Sequence, residues 1–242
     1  MKGTILELFI LTMYNVIMSK VSLKKYFEND NRLEKLFFSA KEIYDSKNLP
    51  NHNFNHITEV LYRALLIAKT DGLNFNPSIL IPACTLHDIG YSIVPKKEGH
   101  EKAGTATSTK LLKIAAFSED EIRKIIEAIV EYRTTGKSIE ADILYDADVL
   151  NQAGYGSMYY FFVSLYEYRQ FPDGNETKYQ LKNFLNSRNK IVEDLRHLGL
   201  RTNYGKELLQ NGFDERKDFI EKALQGLESR PDFLITLDDL LS

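Results

Sequence analysis

The stretch that most constrains this chain is Asn76–Gly90, NPSILIPACTLHDIG, which is almost entirely apolar until it reaches a histidine and an aspartate. Its first residue is a suitable N-cap, the proline after it suits the first helical turn, and Gly90 stands where a C-cap is expected. A helix without a polar face is a core helix, so this segment is predicted to be the buried centre of the fold. Pro82 removes an intrahelical hydrogen bond, so the helix is either kinked there or regular only from about Ile81.

The predicted core helix ends in a charged pair, His87 and Asp88. An imidazole and a carboxylate within a core need a partner, because an unpaired buried charge destabilises a fold by several kcal/mol or more. One divalent cation can partner both groups. The pair therefore predicts a metal site at the end of this helix.

The composition is that of an ordinary soluble globular protein. Of 242 residues, 43% are hydrophobic and 27% are charged, and the formal net charge is −3. This balance, without any basic run interleaved with aromatic residues, argues against nucleic acid as a partner. Cys84 is the single cysteine, so no intrachain disulfide is possible and a reducing cytoplasm is predicted. Its place in an apolar helix makes it a core residue rather than a nucleophile.

The apolar run Ile5–Met18 raises the question of a membrane anchor or a signal peptide. Glu7 interrupts the run, which is shorter than the ~20 residues that a span needs, and no small-residue cleavage site follows. We therefore predict a helix packed on the domain and no membrane partner. A true start at Met18 is an open alternative.

Helical periodicity recurs along the rest of the chain, without a convincing strand pattern, so the predicted fold class is all-α. Apolar spacing over 57–68 places His56 in the first turn of a helix and His52 just before it. Ser118 and Glu121 form a capping box, which leads into a stripe of Ile122, Ile125, Ile126, Ile129 and Val130. The helix that His100 opens has a weaker predicted stripe, comprising Ala103, Ala106, Leu111 and Ile114. Other helical segments are predicted over 33–44, 138–154, 157–168 (aromatic-rich, interpreted as core and cavity wall), 176–198, 203–210 and 215–227.

Side chains of metal-binding type recur at helix ends or within helices: His56, then the pair His87-Asp88, then Asp148. The local forms around them are HNFNHITEV, TLHDIG, GHEKAG and ILYDADVLNQAG. In this order they resemble the HD-domain metal-dependent phosphohydrolases over about residues 50–155, with a weaker likeness as far as residue 228. The resemblance implies an all-α HD-domain helical bundle. A single domain is expected, with N-terminal helices over 1–49, an HD core over 50–155 and C-terminal helices over 156–242.

The resemblance also implies the metal ligands. His56, His87, Asp88 and Asp148 match the four ligands of the family, whose last acid precedes a hydrophobic pair. Asp146 is then an acid beside the ligands or on the surface. Two imidazoles and two carboxylates suit one divalent transition metal (Mn²⁺, Fe²⁺, Co²⁺, Ni²⁺ or Zn²⁺) and leave positions for water and a phosphoryl oxygen.

Two further histidines are candidates for roles in the site. His52 is similar to the histidine of HD-type cyclic nucleotide phosphodiesterases that protonates the leaving group, and the alternative is a loop histidine without a role. His100 matches a position that serves as second-metal ligand or phosphate contact. Families with two metals also have a histidine near the end of the next helix, where this chain has Glu131-Tyr132-Arg133. One tight metal is therefore expected.

The implied activity is hydrolysis of a phosphate ester, in a nucleotide or another small phosphorylated metabolite, by hydroxide bound to the metal. His52 and Asp88 are the expected catalytic residues. Two other classes stay open, a non-catalytic nucleotide- or metal-binding module and a di-iron oxygenase; the intact ligand set argues against the first and the missing histidine against the second. Four basic residues near the motifs are either phosphate contacts or solvated surface: Lys96, Lys97, Lys102 and Arg133.

Overall fold

The computed structural model describes residues 22–46, 52–94, 100–134, 137–150 and 199–211, together with positions 218, 221, 222 and 225. The chain divides into two units, Met1–Ala147 and Asp148–Ser242. The expected three-part division of a single domain stays a prediction. So do the segments predicted at Ile5–Met18, at 157–168 and at 176–198, which lie outside the described residues.

The described part of the first unit is helical, which confirms the all-α prediction; no described residue belongs to a strand. None of the described helices combines the length and the apolar character that crossing a membrane requires. The elements are α1 (Lys24–Asn29), α2 (Asn31–Asp45), α3 (Phe54–Thr70), α4 (Pro77–Leu86), a 3₁₀ helix (Ile89–Ser92), α5 (His100–Ile114), α6 (Glu119–Glu131) and α7 (Ile139–Val149).

Helix α4 is the buried centre of this unit, as its apolar sequence predicts. It packs against α2, α3 and α6, and every residue from Ile79 to Leu86 is buried. The helix is continuous from Pro77 through Pro82, so the alternative of a regular start near Ile81 is wrong. Gly90 is not its C-cap either: the cap is His87, and Gly90 lies within the 3₁₀ helix that follows.

The face by which α5 packs differs from the predicted one. Gly104, Ser108 and Leu112 are buried, whereas Ala106 and Ile114 of the predicted stripe are exposed. The reason is a close approach of two backbones, since a Cβ atom at Gly104 would lie 3.1 Å from the backbone nitrogen of Gly90. Small residues spaced four apart let α5 lie against the 3₁₀ helix, and a pattern search for large apolar side chains overlooks them.

The capping box before α6 is confirmed. The Ser118 hydroxyl accepts from the Glu121 backbone N–H at 3.3 Å, and the Glu121 carboxylate accepts from the Ser118 N–H at 2.8 Å. Ile122, Ile125 and Ile129 of the predicted stripe are buried, but Val130 is 45% exposed. The stripe therefore ends one residue before its predicted limit.

Arg32 ties together the first turns of three helices. Its guanidinium donates two hydrogen bonds to the Asp30 carboxylate, at 2.7 and 2.9 Å, and two to the Glu121 carboxylate, both at 3.0 Å. Asp30 is the N-cap of α2 and also accepts from the Ser78 hydroxyl in the first turn of α4 at 3.2 Å. These hydrogen bonds from Arg32 lower the pKa values of both Asp30 and Glu121.

We expect Arg32→Met to reduce the free energy of unfolding at pH 7 by about 1–3 kcal/mol, because two partly buried carboxylates lose a charged partner. Carboxyl groups whose pKa is lowered on folding stabilise the fold above their unfolded values, 3.8 for Asp30 and 4.5 for Glu121. That stabilisation is lost as the pH falls through the lowered values. Denaturant unfolding at pH 7 and at pH 3 should therefore show the difference between variant and parent narrowing in acid.

The matched control is Arg123→Met. Arg123 pairs with Asp120 and Glu127 on the exposed face of α6, where its side chain is 56% exposed. Exposed pairs of this kind contribute little to stability, so we expect Arg123→Met to destabilise the fold much less than Arg32→Met. Equal destabilisation by the two substitutions would show that the Arg32 cluster adds nothing beyond a surface ion pair.

Within the second unit, the structure describes a helix over 203–211, which matches the helix predicted over 203–210. The Thr202 hydroxyl accepts from the backbone N–H of Gly205 at 3.1 Å and so caps the start of this helix. Leu209 and, just before the helix, Leu200 are buried. Positions 218, 221, 222 and 225, from the segment predicted over 215–227, are also helical.

Candidate metal centre

The candidate site lies where α4 ends. His87 and Asp88 occupy the turn between α4 and the 3₁₀ helix, and each is only 1% exposed. From the start of α3 come His52 and His56, at positions fixed by Asn53, the N-cap whose side chain accepts from the His56 backbone N–H at 3.1 Å. Two helix ends thus bring together residues that are more than 30 positions apart in the sequence.

Three imidazoles converge on a single carboxylate oxygen, Oδ2 of Asp88. Its distances are 2.8 Å to Nδ1 of His52, 3.0 Å to Nε2 of His56 and 3.5 Å to Nε2 of His87. The second oxygen of Asp88, Oδ1, is buried and has no hydrogen-bond partner in the part of the chain that the structure describes. A buried carboxylate oxygen without such a partner is costly, and a bound cation would satisfy it.

The orientation of His87 is set by the helix that carries it. Nδ1 of its ring lies 2.8 Å from the backbone carbonyl oxygen of Cys84. A carbonyl oxygen can only accept, so Nδ1 carries the proton, and in the neutral imidazole Nε2 presents a lone pair on the side of Asp88. Metal-binding histidines are held by this kind of contact at the ring nitrogen that does not bind the metal.

Asp88 is an anionic group in a buried setting. Burial acts to raise the pKa of its carboxyl group, but the three surrounding imidazoles, His87 first and then His52 and His56, outweigh it. The net effect holds the pKa of Asp88 well below its usual value. The side chain is therefore an ionised carboxylate at neutral pH, which is the form that binds a metal.

The two acids of α7 differ in burial. Asp146 is completely buried, so its interpretation as a surface acid is wrong. Asp148 is partly exposed. One carboxylate oxygen of Asp148 and one ring nitrogen each from His56 and His87 lie within 4.8 Å of one another. A second group with the same spacing consists of His52, His56 and Asp88.

The other predicted contacts are less completely described. His100 is the first residue of α5, and its side chain lies outside the described part, as do the side chains of Lys96, Lys97 and Lys102. Their roles stay predictions. Arg133 is exposed, and its Nε donates a hydrogen bond to the hydroxyl of Tyr132 at 2.7 Å.

Three tyrosines that the sequence analysis did not assign to the site surround it. Tyr132 is 1% exposed and lies edge-on to His87, with ring centroids 6.1 Å apart. Tyr91 stacks on His52. The hydroxyl of Tyr44 donates to the carbonyl of Thr85 at 3.2 Å, and burial, followed by the charge of Asp88, raises its pKa well above the usual value. Only Tyr91 could have been suspected from the sequence, because it directly follows the HDIG motif.

Imidazole nitrogens and carboxylate oxygens in this arrangement could hold a divalent metal. The mixture of nitrogen and oxygen donors suits transition metals better than Mg²⁺ or Ca²⁺, which prefer oxygen alone. The buried Oδ1 atom of Asp88 is the observation in favour of a resident cation. The residues present therefore fit the metal that the sequence predicts.

Comparison with known proteins identifies a matching domain family and a related protein. Residues 53–153 match the family model described as HD domain. An uncharacterized protein from Clostridium beijerinckii is 26% identical over 140 residues, which are 57% of this chain and 83% of that protein.

Solved structures show the same fold. A predicted HD superfamily hydrolase from an uncultured Thermotogales bacterium has a TM-score of 0.60 at 19% identity, over 85% of this chain and 99% of its own. Bacillus subtilis YpgQ, solved in complex with ADP, has a TM-score of 0.59 at 14% identity, over 80% of this chain and 97% of its own. An HD-superfamily hydrolase from Bacillus thuringiensis has a TM-score of 0.59 at 19% identity, over 82% of this chain and 97% of its own. At these identities the likeness establishes the fold.

Proposed function

We propose that this chain is a metal-dependent phosphohydrolase acting on a nucleotide or another small phosphorylated metabolite. The match of residues 53–153 to the HD domain family model supports the proposal. The observation that carries the proposal is the convergence of three imidazoles on the buried carboxylate of Asp88. The ADP held by Bacillus subtilis YpgQ, a protein of the same fold, supports a nucleotide as the first substrate class to test.

His56, His87, Asp88 and Asp148 would hold the metal, as the resemblance implies. When bound, a divalent cation lowers the pKa of a coordinated water and neutralises charge on the reacting phosphate. The chain's own contribution is to hold two of these donors, His87 and Asp88, directly after a core helix. Since α4 is buried over Ile79–Leu86 and contacts three other helices, the two donors at its end need little rearrangement.

His52 would protonate the oxygen of the leaving group. Its Nδ1 lies 2.8 Å from the Asp88 carboxylate, so this nitrogen carries a proton and donates it in a hydrogen bond. The nitrogen that donates a proton to the leaving group is then Nε2, on the opposite edge of the ring. A protonated imidazole gives up this proton as the bond from phosphorus to the leaving oxygen breaks, which is general acid catalysis.

A hydrolysis screen tests the proposal. Purified protein is supplied in turn with Mn²⁺, Co²⁺, Ni²⁺ and Mg²⁺ and assayed on nucleoside mono-, di- and triphosphates, cyclic nucleotides and sugar phosphates. We expect metal-dependent release of phosphate or opening of a phosphodiester, and no release by Asp88→Ala prepared in parallel. Binding of nucleotide and metal without hydrolysis of any substrate would instead indicate a non-catalytic module.

We expect one tightly bound metal per chain. Near the end of α6, where a two-metal site would need a histidine, Tyr132 packs its ring edge-on to His87. His100→Ala should then leave the tight metal in place and raise KM about tenfold, as expected if a phosphate contact worth ~1.4 kcal/mol is lost. Elemental analysis and substrate titration of this variant provide the two measurements. Two tight metals in protein purified without added metal would contradict the prediction and favour a dinuclear centre.

A further inference from the structure

The imidazole of His52 is stacked on the phenol ring of Tyr91. The two ring centroids are 3.7 Å apart and the ring planes are inclined by only 14°. His52 precedes the first residue of α3, and its side chain is 23% exposed. Tyr91 is 8% exposed and belongs to the 3₁₀ helix. The stack therefore joins a residue outside a helix to a buried one.

Two contacts together determine how the His52 ring is oriented. The stack on Tyr91 fixes the plane of the ring, and the hydrogen bond from Nδ1 to Asp88 fixes its rotation within that plane. Nε2 lies on the other edge of a five-membered ring, so it is directed away from the Asp88 oxygen. Without the stack, the ring could pivot about its hydrogen bond to Asp88 and move Nε2.

Tyr91 is itself held by the backbone that carries Asp88. Its N–H donates to the carbonyl oxygen of Asp88 at 3.0 Å, so the two residues belong to one turn. The next helix, α5, packs against this turn where Gly104 lies close to Gly90. A Cβ atom at position 104 would lie only 3.1 Å from the backbone nitrogen of Gly90. The group that stacks on His52 and the group that accepts its hydrogen bond are thus parts of the same rigid segment.

We propose that Tyr91 is a positioning residue, which holds His52 in the orientation from which Nε2 delivers its proton to the leaving group. This inference rests on the proposed phosphohydrolase function. In the reaction, the oxygen of a water joins phosphorus, and the bond to the leaving oxygen breaks with its electron pair. That oxygen takes the proton from His52, while the water's proton passes to solvent, from which His52 is protonated again. An acid misplaced by about 1 Å reacts up to about 10²-fold more slowly.

The test compares Tyr91→Leu, which removes the stacking ring, with Tyr91→Phe, which keeps it. For an alkyl phosphate ester, whose leaving group needs a proton, Tyr91→Leu should lower kcat by about 10–10²-fold with KM nearly unchanged. For p-nitrophenyl phosphate, whose leaving group needs none, the loss should be small. Tyr91→Phe should retain most of the parent's activity on both substrates.

Two further measurements separate positioning from a general effect on the fold. Because Tyr91 acts through His52, Tyr91→Leu should add nothing to the loss already caused by His52→Ala. In protein loaded with diamagnetic Zn²⁺, the ring protons of His52 should be displaced upfield by the Tyr91 ring current in NMR spectra. That displacement should persist in Tyr91→Phe and vanish in Tyr91→Leu.

Equal losses on the alkyl and nitrophenyl esters, or an additive loss in the double variant, would overturn the inference. So would a His52 resonance unchanged by Tyr91→Leu. The NMR measurement needs no substrate, so it tests the stack even if no phosphate ester is hydrolysed. In that case the proposed function fails, and the positioning of His52 for catalysis fails with it, although the stack itself is seen.

Discussion

Asp88→Ala should leave the protein without a tightly bound metal and without metal-dependent hydrolysis. Asp88 is buried, ionised and within 3.5 Å of three imidazole nitrogens, so its removal takes away the negative charge around which the site is built. Losing a residue that only supports a ligand lowers metal affinity by about 10–100-fold. Replacing Asp88, an expected ligand itself, should lower metal affinity by more than this. Elemental analysis after gel filtration, and metal titration followed by thermal unfolding, measure the effect.

Asp120→Ala is the matched control, because Asp120 is also an aspartate but lies on the exposed face of α6. Its partners are Arg123 and Lys124, both on the same helix. The control should keep its metal and unfold at nearly the same denaturant concentration as the parent protein, because exposed ion pairs contribute little to stability. If the parent and Asp88→Ala bind equal amounts of Mn²⁺ or Ni²⁺, or if neither binds any, the metal site assigned here is wrong.

The parts of this site that could be predicted are those that depend only on residues close together in the sequence. An apolar segment without a polar face can only be a core helix, and α4 is buried along most of its length. His56 was predicted in the first turn of its helix because apolar periodicity and the break before it define where α3 begins. Burial of a histidine and an aspartate at the end of a core helix then implied a shared partner. These inferences need no knowledge of tertiary contacts.

The parts that could not be predicted depend on contacts between distant segments. Tyr44, Tyr91 and Tyr132 reach the site from three separate elements, and an isolated tyrosine in a helical pattern is indistinguishable from any other core aromatic residue. The packing face of α5 was misassigned because Gly104 contributes by having no side chain. Arg32 joins Asp30 to Glu121 across 89 positions of sequence, which no local pattern reveals.

The two acids of α7 show a limit of a different kind. Residues two positions apart on a helix are separated by about 200° around its axis, so Asp146 and Asp148 face in nearly opposite directions. The family resemblance selected Asp148 as the ligand and left Asp146 beside the site or on the surface. The complete burial of Asp146 excludes the surface.

His52→Ala should keep the metal and lose about 10²–10⁴-fold in turnover, which is the usual contribution of a general acid. The structure supplies the physical reason: Asp88 binds Nδ1 of His52, which leaves the opposite nitrogen to work on the substrate. The loss should be largest for esters of ordinary alcohols and should shrink for nitrophenyl esters, whose leaving groups depart without a proton. Steady-state kinetics on a series of esters with different leaving groups measures how the loss of turnover depends on the leaving group.

His56→Ala is the contrasting variant, because His56 lies four residues further along the same segment and its Nε2 is also close to Asp88. As an expected ligand, His56 should lose the metal when replaced, and its loss of activity should not depend on the leaving group. His52 also lies close enough to His56 and Asp88 to share a metal with them. If His52→Ala loses its metal as His56→Ala does, His52 is a ligand and the proton must come from another group. Retained metal, with a loss of turnover that grows as the leaving group becomes poorer, would identify His52 as a proton donor rather than a ligand.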